Sequence, residues 1–131
     1  MKVLPVLALA LASMAVGCAS LGGPDAVPSG DVVRHVVLFK FKDGATPEQV
    51  RAIEEGFAEL PGKIDVIRDF EWGTDMSTEN LAQGYTHCFV VTFEDAAGRD
   101  AYVPHAAHKE FVKLLGPHLD KALVIDFHAR R

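Results

Sequence analysis

Eleven consecutive residues, VVRHVVLFKFK from Val32 to Lys42, constrain this 131-residue chain more than any other stretch. β-Branched and aromatic side chains at this density suit a pleated, extended strand. Alternation places His35, Val37, Phe39 and Phe41 on one face, and Val36, Leu38, Lys40 and Lys42 on the other. Both faces are apolar for part of their length, so a sheet built on this strand needs cover on both sides.

The remaining elements follow from periodicity and punctuation. Asp43-Gly44-Ala45 reads as a turn. Thr46-Pro47-Glu48-Gln49 reads as a helix start, with Thr46 as N-cap, Pro47 in the first turn and Gln49 three residues past the cap. Val50, Ile53, Phe57 and Leu60 recur at helical spacing, and Pro61-Gly62 is expected to end that helix. Ile64 to Trp72 reads as a second strand, Gly73 to Gly84 as a polar loop, and Tyr85 to Glu94 as a third strand with His87, Phe89, Val91 and Phe93 on one face. A short helix is expected from Asp95 to Tyr102, a break at Val103-Pro104-His105, and a second short helix from Ala107 to Leu115 ended by Gly116-Pro117. A last strand follows from Ala122 to His128.

The order β-α-β-β-α-β, with the second helical part broken in two, is the ferredoxin-like α+β arrangement. It builds a four-stranded antiparallel sheet with helices on one face. The other face, carrying Val36 and Leu38, is bare in a single copy, and a bare apolar sheet face marks an interaction surface. A homodimer with a shared barrel-like core, a dimeric α+β barrel, is the expected assembly.

The first 21 residues hold a dense apolar block whose single charge is Lys2. A positive start, a short apolar stretch and small residues before a break form a signal-peptide pattern, too short to span a bilayer comfortably. Ala15-Val16-Gly17-Cys18 resembles a bacterial lipobox, with Ala15 where Leu is more usual. On that reading residues 1–17 are removed and Cys18 becomes the lipidated first residue. Residues 18–30, rich in Gly, Pro and Ser, form a flexible tether, and 31–131 form the folded domain. The mature protein is then exported and anchored to the bacterial envelope by lipid on Cys18. No Asp follows the Cys to favour the inner membrane over the outer one. Without residues 1–17 the chain carries 18 acidic and 12 basic residues, which argues against a nucleic-acid partner. Cys88, the other cysteine, lies in an apolar run and reads as a buried small hydrophobe rather than half of a disulfide.

The stretches His35 to Lys42, Trp72-Gly73, Gly84-Tyr85-Thr86-His87, Val91-Thr92-Phe93-Glu94, Tyr102 to His108 and Ile125-Asp126-Phe127 resemble the stress-responsive A/B barrel (Dabb) family in order and spacing. The likeness covers residues 33–128. A plant polyketide cyclase of that family closes a ring by an intramolecular aldol reaction, using a Tyr and a His from one Tyr-x-x-His-x-x-His segment and a His on the first strand. The resemblance therefore implies Tyr102 and His108 as a catalytic pair and His35 as the first-strand His. Two departures stand out. The family's His-Pro-x-His is here His105-Ala106-Ala107-His108, with Pro104 one place earlier. Phe57 falls on an aromatic position of the cyclase pocket, but Ile53 and Glu54 fall where phenylalanines stand.

Strand parity points to convergence on its own. His35 and Phe39 share a face of the first strand, and His87 and Phe89 share a face of the third. With those faces toward the helices, Tyr102 and His108 close a cleft in which His35, Phe39, Phe57, His87 and Phe89 are the candidate ligand-binding residues. An imidazole exchanges protons near neutral pH, and a phenol donates to a developing oxyanion. Each residue also has a plain structural reading: His87 filling or capping the sheet by a hydrogen bond, and Tyr102, His105 and His108 fixing their loop. His105 and His108 lack a Cys or acidic partner at metal spacing, so no metal is assigned, and nothing calls for a cofactor. Three functions fit: a module binding a small apolar or aromatic carbonyl ligand, a cyclase- or isomerase-type enzyme, and a structural dimeric lipoprotein. An exported protein meets little coenzyme A or acyl carrier protein, which places the binding module first.

Overall fold

The computed structural model describes residues 32–130; residues 1–17, the tether and Cys18 lie outside them. The first strand, β1 (Val33–Phe41), has the expected parity, with Val33, Val37 and Phe39 at 5% exposure or less on the helix-facing side. Helix α1 (Pro47–Ala58) starts on a capping box. The Thr46 hydroxyl accepts from the Gln49 N–H, and the Gln49 side-chain oxygen accepts from the Thr46 N–H.

Pro61-Gly62 does not end the helix as expected. The chain breaks at Glu59 and continues as the single turn α2 (Leu60–Lys63), where Pro61 falls in a first turn that needs no N–H from it. Strand β2 (Ile67–Thr74) consequently begins three residues later than alternation indicates, and Ile64 joins the core at 1% exposure. A bulge between Ile67 and Asp69 then restores the parity that turns Phe70 and Trp72 inward. Strand β3 (His87–Phe93) is trimmed at both ends, since the Tyr85 N–H is spent in a turn on the Ala82 carbonyl.

Helix α3 (Ala96–Tyr102) is capped by Asp95, and α4 (Ala106–Leu115) by His105. After a 3-10 turn at Gly116–His118, β4 (Leu119–His128) starts three residues earlier than expected, because Phe41 reaches Leu119 through a second bulge.

The sheet order is β2-β3-β1-β4, all antiparallel. Helices cover one face. The core there is aromatic: Phe57 lies 4.4 Å from Phe89 and 4.6 Å from Phe111, ring centre to ring centre. Truncating a phenylalanine this deeply buried costs about 3–5 kcal/mol. The opposite face carries Val36, Leu38, Val90, Leu123, Ile125 and Phe127 with no helix of the described residues over it, and the last three are 43–52% exposed. Cys88 lies on this outer face, half-buried rather than in the core, and burial still pushes its thiol pKa up.

Candidate functional site

Register rather than sequence proximity assembles the first polar cluster. On β1, His35 is paired with Asp126 of β4, and its Nδ1 lies 2.6 Å from the Asp126 carboxylate. The second carboxylate oxygen accepts from the Arg99 guanidinium, which also reaches Asp100 at 2.7 Å. Burial opposes the Asp126 charge. The hydrogen bonds and charges of His35 and Arg99 outweigh it and hold the carboxyl below its ordinary range.

Tyr102, the last residue of α3, is fully buried, and its ring lies 5.6 Å from His35 and 4.4 Å from His108. Its hydroxyl finds no hydrogen-bond partner among the described residues. Desolvation drives its pKa strongly upward, so the phenol stays a proton donor.

The Val103-Pro104-His105 break folds back on itself. The His105 N–H meets the Tyr102 carbonyl, and the His105 ring accepts from the Ala107 N–H as the cap of α4. That leaves His108 as the ring turned toward Tyr102. Its Nδ1–H donates to the Val103 carbonyl over 2.9 Å, which leaves Nε2 with a free lone pair. Burial lowers the His108 pKa first; the Val103 bond opposes this, and charge on His35 or His105 adds to the lowering. His108 is therefore a neutral imidazole at pH 7, a lone-pair base beside a buried phenol.

His87 belongs to a second cluster. It pairs with Phe39, whereas His35 pairs with Val91, so the two histidines stand four residues apart along adjacent strands, about 13 Å at 3.3 Å per residue. His35 and His87 therefore do not share one cleft. Instead His87 Nε2 meets Glu54 at 2.8 Å, its Nδ1 meets the Thr86 hydroxyl at 2.8 Å, and its ring stacks parallel to Trp72. Among the described residues no group of three metal-ligating side chains converges.

The expected ligand-binding phenylalanines do not line an open cleft. Phe39, Phe57 and Phe89 are 2%, 1% and 0% exposed and pack on one another between the two clusters. A hollow of about 560 Å3 lies elsewhere, between the outer sheet face and the loop after β2, lined by Leu38, Trp72, Met76, Tyr85, Cys88 and Val90. At the other edge of the sheet Val124, on the same face as Asp126, is 51% exposed.

The profile of the stress responsive A/B barrel domain matches residues 33–129. The chain belongs to the stress-responsive A/B barrel family. Within it, the Arabidopsis thaliana stress-response A/B barrel domain-containing protein HS1 is 46% identical over 95 residues, which cover 72% of this chain and 87% of that protein. Olivetolic acid cyclase from Cannabis sativa is 32% identical over 99 residues, covering 76% and 98%. The hydroxynitrile lyase from Passiflora edulis superposes with a TM-score of 0.73 at 25% identity, covering 77% of this chain and 95% of its own. A dimeric ferredoxin-like protein from Thermobifida fusca superposes at 0.67, also at 25% identity, covering 80% and 97%. The A/B barrel frame thus carries a cyclase, a lyase and dimeric proteins of unknown function. Asp126, Arg99 and Glu54 are the polar partners that sequence reasoning did not assign, and only strand register and helix packing bring them to the histidines.

Proposed function

We propose that this domain binds a small apolar or aromatic carbonyl compound at Tyr102, with the carbonyl oxygen accepting from the Tyr102 hydroxyl. The observation that carries this is that hydroxyl: a fully buried donor with no partner among the described residues. Leaving such a group unsatisfied costs about 1–3 kcal/mol, which a ligand acceptor recovers. The ligand enters over the open inner face of β4, past His108.

A second reading rests on the neutral His108. Its Nε2 can remove a proton from the carbon next to the bound carbonyl while Tyr102 stabilises the developing enolate oxygen. A cyclase and a lyase among the relatives, one making and one breaking a bond, fit acid–base chemistry of this kind. The substrate of the plant cyclase does not carry over, because Glu54 and the packed Phe39, Phe57 and Phe89 reshape the space.

The working unit in this proposal is a homodimer packed through the bare outer sheet faces, as the dimeric relatives suggest. It is held at the bacterial envelope by lipid on Cys18, where a free carbonyl compound is a more accessible ligand than a thioester.

Native mass spectrometry of the protein purified from its own host tests the binding. A dimer carrying a small carbonyl compound, lost in Tyr102→Phe, is the expected result. A ligand-free dimer that takes up no aryl ketone or phenolic probe would sink the proposal and favour a structural role.

A further inference from the structure

Thr86, His87 and Glu54 form a hydrogen-bonded relay at the start of β3, in the cluster that does not include Tyr102. His87 Nε2 lies 2.8 Å from a Glu54 carboxylate oxygen, and its Nδ1 lies 2.8 Å from the Thr86 hydroxyl. A carboxylate only accepts, so Nε2 carries the ring proton and Nδ1 presents its lone pair. The Thr86 hydroxyl therefore donates to Nδ1. The backbone explains how these two neighbouring side chains meet. Phe39 is the register partner of His87, and its carbonyl also accepts from the Thr86 N–H. Two consecutive residues thus face one, the count of a β-bulge, which re-aims a side chain. The imidazole is buried among Phe41, Trp72 and Phe89, while Thr86 is exposed.

We propose that this relay is a catalytic site of its own, in which Thr86 is the nucleophile, His87 its general base and Glu54 the positioning residue, and that its substrates are small aryl esters. Hydroxyl, imidazole and carboxylate in that order activate an otherwise weak alcohol. The Thr86 oxygen adds to the ester carbonyl as its proton passes to His87 Nδ1, and the carbonyl π pair moves to oxygen. When that pair returns, the bond from the carbonyl carbon to the aryl oxygen breaks, and the leaving oxygen takes the proton from Nδ1. Water then adds to the acyl-threonine and gives a proton to Nδ1. Collapse releases the acid, and that proton returns to the Thr86 oxygen. One ester and one water become one acid and one phenol.

Space and charge near Thr86 fit an ester. Tyr85 and His87, the residues on either side of it, line the hollow of about 560 Å3 whose walls include Trp72, Met76 and Leu38. An aryl group packs well on such a surface. Gly84, at a φ of +83°, lets the Lys40 stem lie against the backbone two residues before Thr86: a Cβ there would meet Lys40 Cε at 2.8 Å. The Lys40 ammonium is thereby brought to the turn that carries the nucleophile, where its charge stabilises the developing oxyanion. Its ion pair with Asp120, at 3.5 Å and partly exposed, is a loose one.

The test is acylation of the full chain by p-nitrophenyl acetate. Release of nitrophenol and a single acetyl group on Thr86, located by peptide mapping, are the expected results. Thr86→Val keeps the shape without the hydroxyl and should abolish both, whereas Thr86→Ser should retain them. Glu54→Gln keeps a carbonyl oxygen for the Nε2–H, and so the fold, but a neutral amide does not match an imidazolium. It should lower kcat by about a hundredfold, the scale of one general acid–base group, with KM unchanged. Glu54→Asp should recover part of that loss. NMR of the protein labelled with 15N-histidine should show neutral His87 as the Nε2–H tautomer. An Nδ1–H tautomer on His87, acetyl groups only on His87 or on lysines, or acetylation as fast in Thr86→Val as in the wild type overturns the proposal. So does a wild type that neither releases nitrophenol nor becomes acetylated. Thermal melts of each variant separate lost chemistry from lost fold.

Discussion

The His108 ring lies 4.4 Å from the ring of Tyr102, whose buried hydroxyl finds no hydrogen-bond partner among the described residues. A group left in that state costs stability that function can use. Tyr102→Phe is therefore expected to raise the stability of the free protein by about 1 kcal/mol, because the ring stays and the orphaned donor goes. Chemical denaturation reads the gain, and ligand titration reads the matching loss of binding. Tyr102→Ala should instead cost about 3–5 kcal/mol by emptying the core.

The same two residues set the pH limits. The His108 pKa is lowered in the fold, so the unfolded chain takes up a proton that the native state refuses. Its contribution is present above the ordinary histidine value, about pH 6.5, and is lost as pH falls. The Tyr102 pKa is raised, so the native state keeps a proton that the unfolded chain releases. That contribution is present below about pH 10 and is lost above it. Denaturant midpoints measured across this range should fall at both ends. The alkaline limb should flatten in Tyr102→Phe and the acid limb in His108→Gln.

Glu54 holds a histidine that is 8% exposed. Glu54→Ala leaves the His87 Nε2 without a partner and is expected to cost about 1–3 kcal/mol. Glu54→Gln keeps a carbonyl oxygen in reach and should recover most of it. Equal losses in both variants would show that the carboxylate charge, rather than the hydrogen bond, matters.

Ile125 stands 52% exposed in the middle of the bare sheet face. Ile125→Asp should leave the protomer folded by circular dichroism and convert a dimer to a monomer in light scattering. A variant that remains dimeric would place the interface elsewhere.

Cys18→Ser should abolish incorporation of labelled palmitate and move the protein from the membrane fraction to the soluble one. Retention in the membrane fraction would remove the lipid anchor from the proposed function.

Several features were legible in the residues because they depend on neighbours a few positions away. The alternation of Val33 to Phe41, the capping box of Thr46 and Gln49 and the break at Val103-Pro104-His105 are local matters of backbone preference and hydrogen-bond reach. Their order sufficed for the ferredoxin-like fold and for the contacts of Tyr102 with His35 and His108, since strand parity and the helix end aim these residues at one place. The starts of β2 and β4 were missed because a second helical turn at Leu60–Lys63 and a bulge after Lys40 shift them, and neither leaves a periodic trace.

The sequence by itself thus determined the elements, their order and the face each side chain occupies, all set by repeat distances within a few residues. The tertiary structure alone decided which charged group meets which histidine. Asp126 is 91 residues from His35 and Glu54 is 33 from His87. Antiparallel register and helix packing bring them together, and a one-residue slip would turn each partner to the other face. The same packing closed Phe39, Phe57 and Phe89 into a solid core, since apolar rings bury against one another unless something holds them apart.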